Sequence, residues 1–330
     1  MSKLNIAVVS GGNSGEFSIS VQSGLVVKKF LDPNKYKVYP ILLKGKDWYH
    51  ECKNMSVYQV DKNDFSLDIA GEKVYFDCVF IAIHGTPGED GKLQGYFDLL
   101  GIPYTSCDNA TSALTFNKYF CKNYITNFGV KTAKSICLTD AEKAEPGFIL
   151  NQLSLPVFVK PNNGGSSVGM SKVNKPAELD GAIKIAFRED DELLVEEFIK
   201  GREITCGVMK YNHKTLIFPV TEIVSKKEYF DYEAKYTPDL SEEIVPAQIP
   251  EAVYNECQDT SSMLYEKLNC KGVVRFDYIF NDSGLYFLEV NTVPGLTEAS
   301  IVPKMAKSYG LTLQQLFTML VEEALRDSIK

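Results

Sequence analysis

The sequence predicts a fold of the α/β and α+β classes, a parallel α/β unit followed by two α+β units, and three observations carry that expectation. Over the first hundred residues, short apolar runs alternate with helix-like segments, the pattern of a parallel sheet covered on both faces. Between 156 and 210, strand signals cluster around one helix, as in a small α+β unit. Beyond 214 come further strands, a hairpin at 272–295 and two amphipathic C-terminal helices. For a chain of 330 residues this divides as 1–112, 113–213 and 214–330.

The elements follow in order. "LNIAVVS" (4–10), "KYKVYPILL" (35–43) and "FDCVFIAI" (76–83) read as strands, with helices at 19–31 and 93–101 between and after them. Loops leaving the carboxyl ends of such strands bind ligands, which singles out "SGGNSGE" (10–16) and "HGTPGEDG" (84–91). A long helix is expected over 108–129, with Asp108 or Asn109 as its cap and Gly129 as its stop. "PVFVK" (156–160) and "GMSKV" (169–173) read as antiparallel strands joined by a Gly/Ser loop, and a helix over 176–187 follows. Strands at 192–199 and 202–210 complete that unit.

Composition narrows the function. A formal net charge of -8 with no strongly basic block excludes nucleic acid as the expected partner, since that binding needs clustered Lys and Arg. The N-terminal apolar run is too short for a signal peptide or membrane span, so a cytoplasmic protein with no membrane partner is expected. The 8 cysteines are scattered without a C-x-x-C pair and read as reduced core thiols, and the 3 histidines share no zinc-ligand spacing.

Two stretches carry chemistry. In "GVVRFDYIFNDSGLYFLEVNTVPG", a three-residue turn at Asp282-Ser283-Gly284 sets Asp277 opposite Glu289 and Arg275 opposite Asn291. Facing carboxylates repel, and a divalent cation held by Asp277, Glu289 and Asn291 oxygens relieves the repulsion; an ordinary salt bridge from Arg275 is the plainer reading. In "PVFVKPNNGGSSVGM", Lys160 precedes a polar loop with three glycines, suited to holding phosphate oxygens, or else it is a solvated strand-end charge. The loop is neither a P-loop nor a dinucleotide fingerprint. Gly165-Ser166-Ser167-Val168-Gly169 satisfies the nucleophile-elbow pattern but leads into a strand, where an elbow needs a helix.

These pieces, with "HGTPGEDGKLQGYF" (84–97), "VEEFIKGREIT" (195–205), "FDYEAKY" (230–236) and "LEVNTVPGLTEASIVP" (288–303), resemble the ATP-grasp ligases and, among them, the D-alanine–D-alanine ligase family. The resemblance implies an ATP-grasp fold that holds ATP between antiparallel sheets, and ligation of two D-alanines through an acyl phosphate for peptidoglycan precursors. It implies that Lys118, Lys160 and Lys235 hold phosphate, and that Glu196, Glu197, Ile199 and Glu203 border adenine and ribose. Asp277, Glu289 and Asn291 would carry two magnesium ions, which manganese could replace. Glu16 would bind the first substrate's ammonium and cluster with Ser166 and Tyr236; Arg275 and Gly295 would form the oxyanion hole, with Ser300 beside the second carboxylate. His84 would orient a substrate carboxylate or merely pack beneath its loop. A homodimer is implied as well. The loop departs from the family in reading "NNGGSS" where many relatives carry an Arg-Glu pair. The rivals are another ATP-grasp carboxylate–amine ligase, a ligase using D-lactate or D-serine as second substrate, and a non-catalytic ATP-binding sensor.

Overall fold

The computed structural model describes residues 2–52, 55–139, 145–165, 168–225 and 241–327. The N-terminal sheet begins with β1 (Leu4–Gly11), α1 (Phe17–Phe30) and β2 (Tyr36–Lys44). It continues through β3 (Asp47–Glu51), β4 (Val57–Asp61), β5 (Ser66–Ile69), β6 (Glu72–Val74) and β7 (Cys78–Ile81). Its order is β6-β5-β4-β3-β2-β1-β7, and β1 runs parallel to both its neighbours. Only this three-stranded centre is parallel; β3 to β6 extend it as an antiparallel meander, which the sequence reading did not separate. Burial explains the difference: β1 carries the unbroken buried apolar run Ile6 to Val9, whereas β3 and β4 include exposed residues and tolerate a solvated face.

Next come α2 (Lys92–Leu100), α3 (Asn109–Phe116) and α4 (Lys118–Thr126), so the single helix expected over 108–129 is two. Asn117 breaks it, with φ -82 and ψ 103, and its Oδ1 accepts the Phe120 N–H to cap the second helix. The central sheet comprises β9, β10, β11 and β12: after β8 (Lys131–Thr132), these are β9 (Ser135–Leu138), then, past the short α5 (Pro146–Leu150), β10 (Val157–Pro161) and β11 (Ser171–Val173), and, past α6 (Leu179–Ala186), β12 (Leu193–Glu197). All its pairings are antiparallel, in the order β11-β10-β12-β9.

The third sheet takes β13 (Arg202–Tyr211), β14 (Lys214–Ile217), β15 (Thr221–Ser225) and β16 (Ser241–Ile244). After α7 (Glu251–Lys267) it adds β17 (Val273–Asn281) and β18 (Gly284–Asn291), and the chain ends with α8 (Ile301–Ser308) and α9 (Leu313–Asp327). The order is β16-β15-β13-β17-β18-β8, with β14 paired to β13. Thus β13, which the sequence reading grouped with the central unit, belongs to the third sheet. Apolar periodicity identifies a strand but not its partner.

The two faces of β1 serve different cores. Ile6 and Val8 pack with Phe80, Met305 and Phe317, joining the N-terminal sheet to the C-terminal helices. Ala7 and Val9 pack with Phe65 and Phe97 on the other side. One core therefore locks the first loop region against the third sheet. All 8 cysteines are free thiols, as expected; six are buried, and Cys52 and Cys137 are intermediate.

Candidate active site

The hairpin β17–β18 sets Asp277 opposite Glu289 and Arg275 opposite Asn291, the pairing expected from the sequence, but it does so by a different route. Asn281 pairs with Gly284, so the loop has two residues, Asp282 and Ser283, and not three. The register then shifts between Asp277 and Tyr278, because Leu288 is bulged out opposite them. Without that bulge the two-residue turn would set Asp277 against Leu288 and turn Glu289 to the other face.

Asp277 is 4% exposed and accepts from four donor atoms. Arg275 binds it bidentately, Nε to Oδ1 at 2.9 Å and Nη2 to Oδ2 at 2.8 Å; Thr205 Oγ1 donates at 2.6 Å and Asn291 Nδ2 at 2.9 Å. Burial works against the charge of Arg275, but Asp277, Glu289 and Glu203 outweigh it and raise its pKa. The plain salt bridge and the clustered carboxylates therefore coexist. A divalent cation fits the donor chemistry here: two carboxylates and an amide, on paired strands, form an all-oxygen set suited to magnesium. Among the described residues no group of three or more His, Cys, Asp or Glu gathers for a metal, so the set here consists of two acids and an amide.

Lys160 near the end of β10 and Lys122 on α4 meet at the carboxylate of Glu196. Lys122 Nζ lies 2.6 Å from Oε2, and Lys160 bonds Oε1. Burial alone would raise the Glu196 carboxyl, but the two ammonium groups hold it down at about 2. Lys122 went unremarked in the sequence; its i,i+4 spacing from Lys118, which places both on one side of the helix, was the available signal. Glu197 points to the opposite face of β12, as alternation requires, and its Oε1 accepts the Ser154 N–H at 3.2 Å. It borders neither cavity described next.

Two cavities flank these groups. The first, about 690 Å³, is bounded by Lys118, Lys160, Glu196, Ile199, Glu203 and Glu289 among others. The second, about 490 Å³, is bounded by Glu16, Arg275, Glu289, Asn291, Gly295 and Ser300 among others. They share Glu16, Lys118, Gly165 and Glu289 as a common wall. Gly165 of the Gly/Ser loop abuts Glu16 there: a Cβ at Gly165 would lie 2.8 Å from Glu16 Oε2, so a larger residue would displace that carboxylate. Gly295 is constrained likewise, since its Cβ would lie 2.9 Å from Ser300 Oγ. That hydroxyl is 2.7 Å from Thr297 Oγ1 and accepts the Thr297 N–H at 3.1 Å.

His84 is 4% exposed; its Nδ1 donates to Val293 O at 2.8 Å, and Ser23 Oγ donates to Nε2 at 2.9 Å. Nδ1 thus ties the first unit to the third and Nε2 is held by Ser23 of α1, so both ring nitrogens are engaged although the residue borders the second cavity. Glu89, also missed in the sequence, braces the same junction: its carboxylate accepts the Gly85 and Val293 N–H groups, while burial and the charge of Glu16 push its pKa up to about 7. Ser166, Lys235 and Tyr236 lie outside the described residues.

A nucleotide-sized space between the central sheet and the mostly antiparallel third sheet, beside a carboxylate pair and a lysine-bearing Gly/Ser loop, defines an ATP-grasp protein. The chain belongs to the D-alanine–D-alanine ligase family: residues 5–107 match the model of the D-ala D-ala ligase N-terminus, and residues 125–322 that of the C-terminus. It is 45% identical to a D-alanine–D-alanine ligase of Flavobacterium johnsoniae, over 97% of this chain and 99% of that one. It is 44% identical to the enzyme of that name from Azobacteroides pseudotrichonymphae, over 96% and 99%. Among solved structures it is similar to the VanG D-Ala:D-Ser ligase of Enterococcus faecalis, with TM-score 0.87 and 34% identity over 98% of this chain and 100% of that one. The Coxiella burnetii D-alanine–D-alanine ligase gives TM-score 0.86 at 28% identity, over 100% and 96%.

Proposed function

We propose that this protein joins two D-alanines into D-alanyl-D-alanine at the expense of ATP, supplying a peptidoglycan precursor. The observation that carries the reading is the common wall between a nucleotide-sized cavity and a smaller one. The γ-phosphoryl group and a substrate carboxylate would meet at that wall. Family membership implies the use of ATP and magnesium.

In the reaction, the first D-alanine's carboxylate oxygen forms a bond to the γ-phosphorus as the bond to ADP breaks. The second substrate's amine, after losing a proton, attacks the resulting acyl phosphate at carbon, and inorganic phosphate leaves. Lys118 and Lys160 hold phosphate oxygens from one side; Glu196 keeps Lys160 aimed there. Glu16 binds the first substrate's ammonium. Arg275 and the Gly295 N–H stabilise the oxyanion, and Ser300 receives the second substrate's carboxylate. Asp277, Glu289 and Asn291 would hold magnesium, two ions in this reading with manganese as a substitute, which supplies charge neutralisation at the phosphoryl group. Lys235 would add a further phosphate contact, and Ser166 and Tyr236 would complete the cluster with Glu16. Ile199 and Glu203 border the adenine and ribose end. The Gly/Ser loop, whose Gly165 abuts Glu16, would close to exclude water, which would destroy the acyl phosphate.

Ligation with D-serine as second substrate is the other reading, favoured by the likeness to the Enterococcus faecalis D-Ala:D-Ser ligase. The test is phosphate release from ATP and magnesium. D-alanine alone is expected to suffice, with L-alanine inactive; product analysis with D-serine or D-lactate added should show D-alanyl-D-alanine dominant. No phosphate release with D-alanine overturns the reading, a dominant D-serine product transfers it to the second, and a dominant D-lactate product overturns both. A cytoplasmic homodimer belongs to the same proposal, checked by mass in solution; among the described residues no helix is long and apolar enough to cross a membrane.

A further inference from the structure

We propose that Asn162 is a positioning residue that caps helix α4 from outside and thereby fixes Lys118 relative to Lys160. The side chain is fully buried, 0% exposed, and lies two residues after Lys160. Its backbone carbonyl accepts the Lys118 N–H at 3.1 Å, and its Oδ1 accepts the Tyr119 N–H at 2.9 Å. These are the first two N–H groups of α4, which have no acceptor within their own helix. The third, on Phe120, goes to Asn117 Oδ1. The helix start is therefore capped by two asparagines, one local and one carried on the phosphate loop.

Asn162 is held in turn by Glu192. Its N–H donates to the Glu192 carbonyl at 2.9 Å and its Nδ2 to Oε2 at 2.7 Å; the same Oε2 accepts Asn117 Nδ2 at 3.1 Å. One carboxylate thus orients both caps. The result is seen at the side chain: Lys118 Nζ donates to Gly164 O at 2.5 Å, inside the same loop. A shorter side chain at 162 could not reach both Tyr119 and Glu192. The "NN" at 162–163 thus gains a purpose: it welds the lysine of α4 to the lysine of β10, so that both face one cavity.

The proposal rests on the ligase reading only in taking Lys118 and Lys160 as phosphate-holding groups. The test is equilibrium binding of ATP with magnesium to the full chain, with KM for D-alanine and thermal midpoint measured alongside. Asn162→Ala strands the Tyr119 N–H and is expected to weaken ATP binding by about tenfold or more, with KM for D-alanine changed less than about twofold. Asn162→Asp keeps the acceptor for Tyr119 but sets a second carboxylate against Glu192, and ATP binding should fall similarly. Combining it with Glu192→Gln supplies an amide donor opposite that carboxylate, and most of the ATP affinity should return. The proposal is overturned if both single variants bind ATP as the parent does. It is also overturned if ATP affinity, KM for D-alanine and thermal midpoint decline together without recovery in the double variant. Because nucleotide affinity is read directly, a parent that binds ATP without ligating D-alanine overturns the ligase reading alone.

Discussion

Glu289→Gln is expected to reduce phosphate release on D-alanine by more than about 100-fold at saturating magnesium, while the protein stays folded. Glu289 stands on the wall between the two cavities, opposite Asp277 across the hairpin. The amide keeps its shape and removes one negative charge from the place where a cation and a phosphoryl group must be neutralised together. Asp277→Asn should lose activity as well, but with a second signature. Asp277 receives Arg275 bidentately in a buried position, so the change removes the charged half of that pair, leaves only Glu289 and Glu203 to balance the guanidinium, and should lower stability measurably. Turnover and denaturant midpoints measured on both variants separate the two effects. Near-parental turnover in Glu289→Gln would falsify the assignment of this pair to the metal site.

Glu196→Gln is expected to be the most destabilising single change around the nucleotide cavity. It removes the carboxylate held between two ammonium groups whose side chains are 4% and 12% exposed, and breaking such a buried cluster costs about 3–5 kcal/mol. The pH dependence of the parent gives an independent measure. An ordinary glutamate titrates at 4.5 and Glu196, held by Lys122 and Lys160 against the effect of burial, at about 2. The folded state therefore binds the proton less readily than the unfolded chain. The stabilisation, roughly 3 kcal/mol, is fully present above pH 4.5 and disappears as the pH falls toward 2. Urea denaturation between pH 7 and 2 should show that loss in the parent and not in Glu196→Gln. Equal acid sensitivity in the two proteins would count against the cluster. The variant should also bind ATP more weakly, because Lys160 loses the group that aims it.

Much of the site was legible because its chemistry is written in residue types at short range. A lysine followed by a glycine-rich loop and two acids flanking a hairpin each occupy one continuous stretch, so Lys160, Asp277 and Glu289 could be chosen as candidates without knowing the fold. The inner strands were equally plain, since a strand buried on both faces must be apolar throughout, as Ile6 to Val9 are.

What the sequence by itself determined, then, is the parallel strands of the N-terminal sheet, the Asp108 cap and the candidate charged groups of the phosphate loop and the hairpin, all of which follow from local spacing and burial. The tertiary structure alone decided the partners. The bulge at Leu288 restores the facing of Asp277 and Glu289 that the shorter turn would have lost, and a bulge is set by how a strand packs, not by its own pattern. The break at Asn117 arises because Asn162, 45 residues later, supplies acceptors that a continuous helix could not use. Glu196 reads as a solvated strand charge until Lys122 and Lys160 arrive from two other elements and make its burial favourable. In the last two cases the deciding energy is a hydrogen bond or ion pair between residues far apart in the chain, and periodicity along the chain carries no record of it.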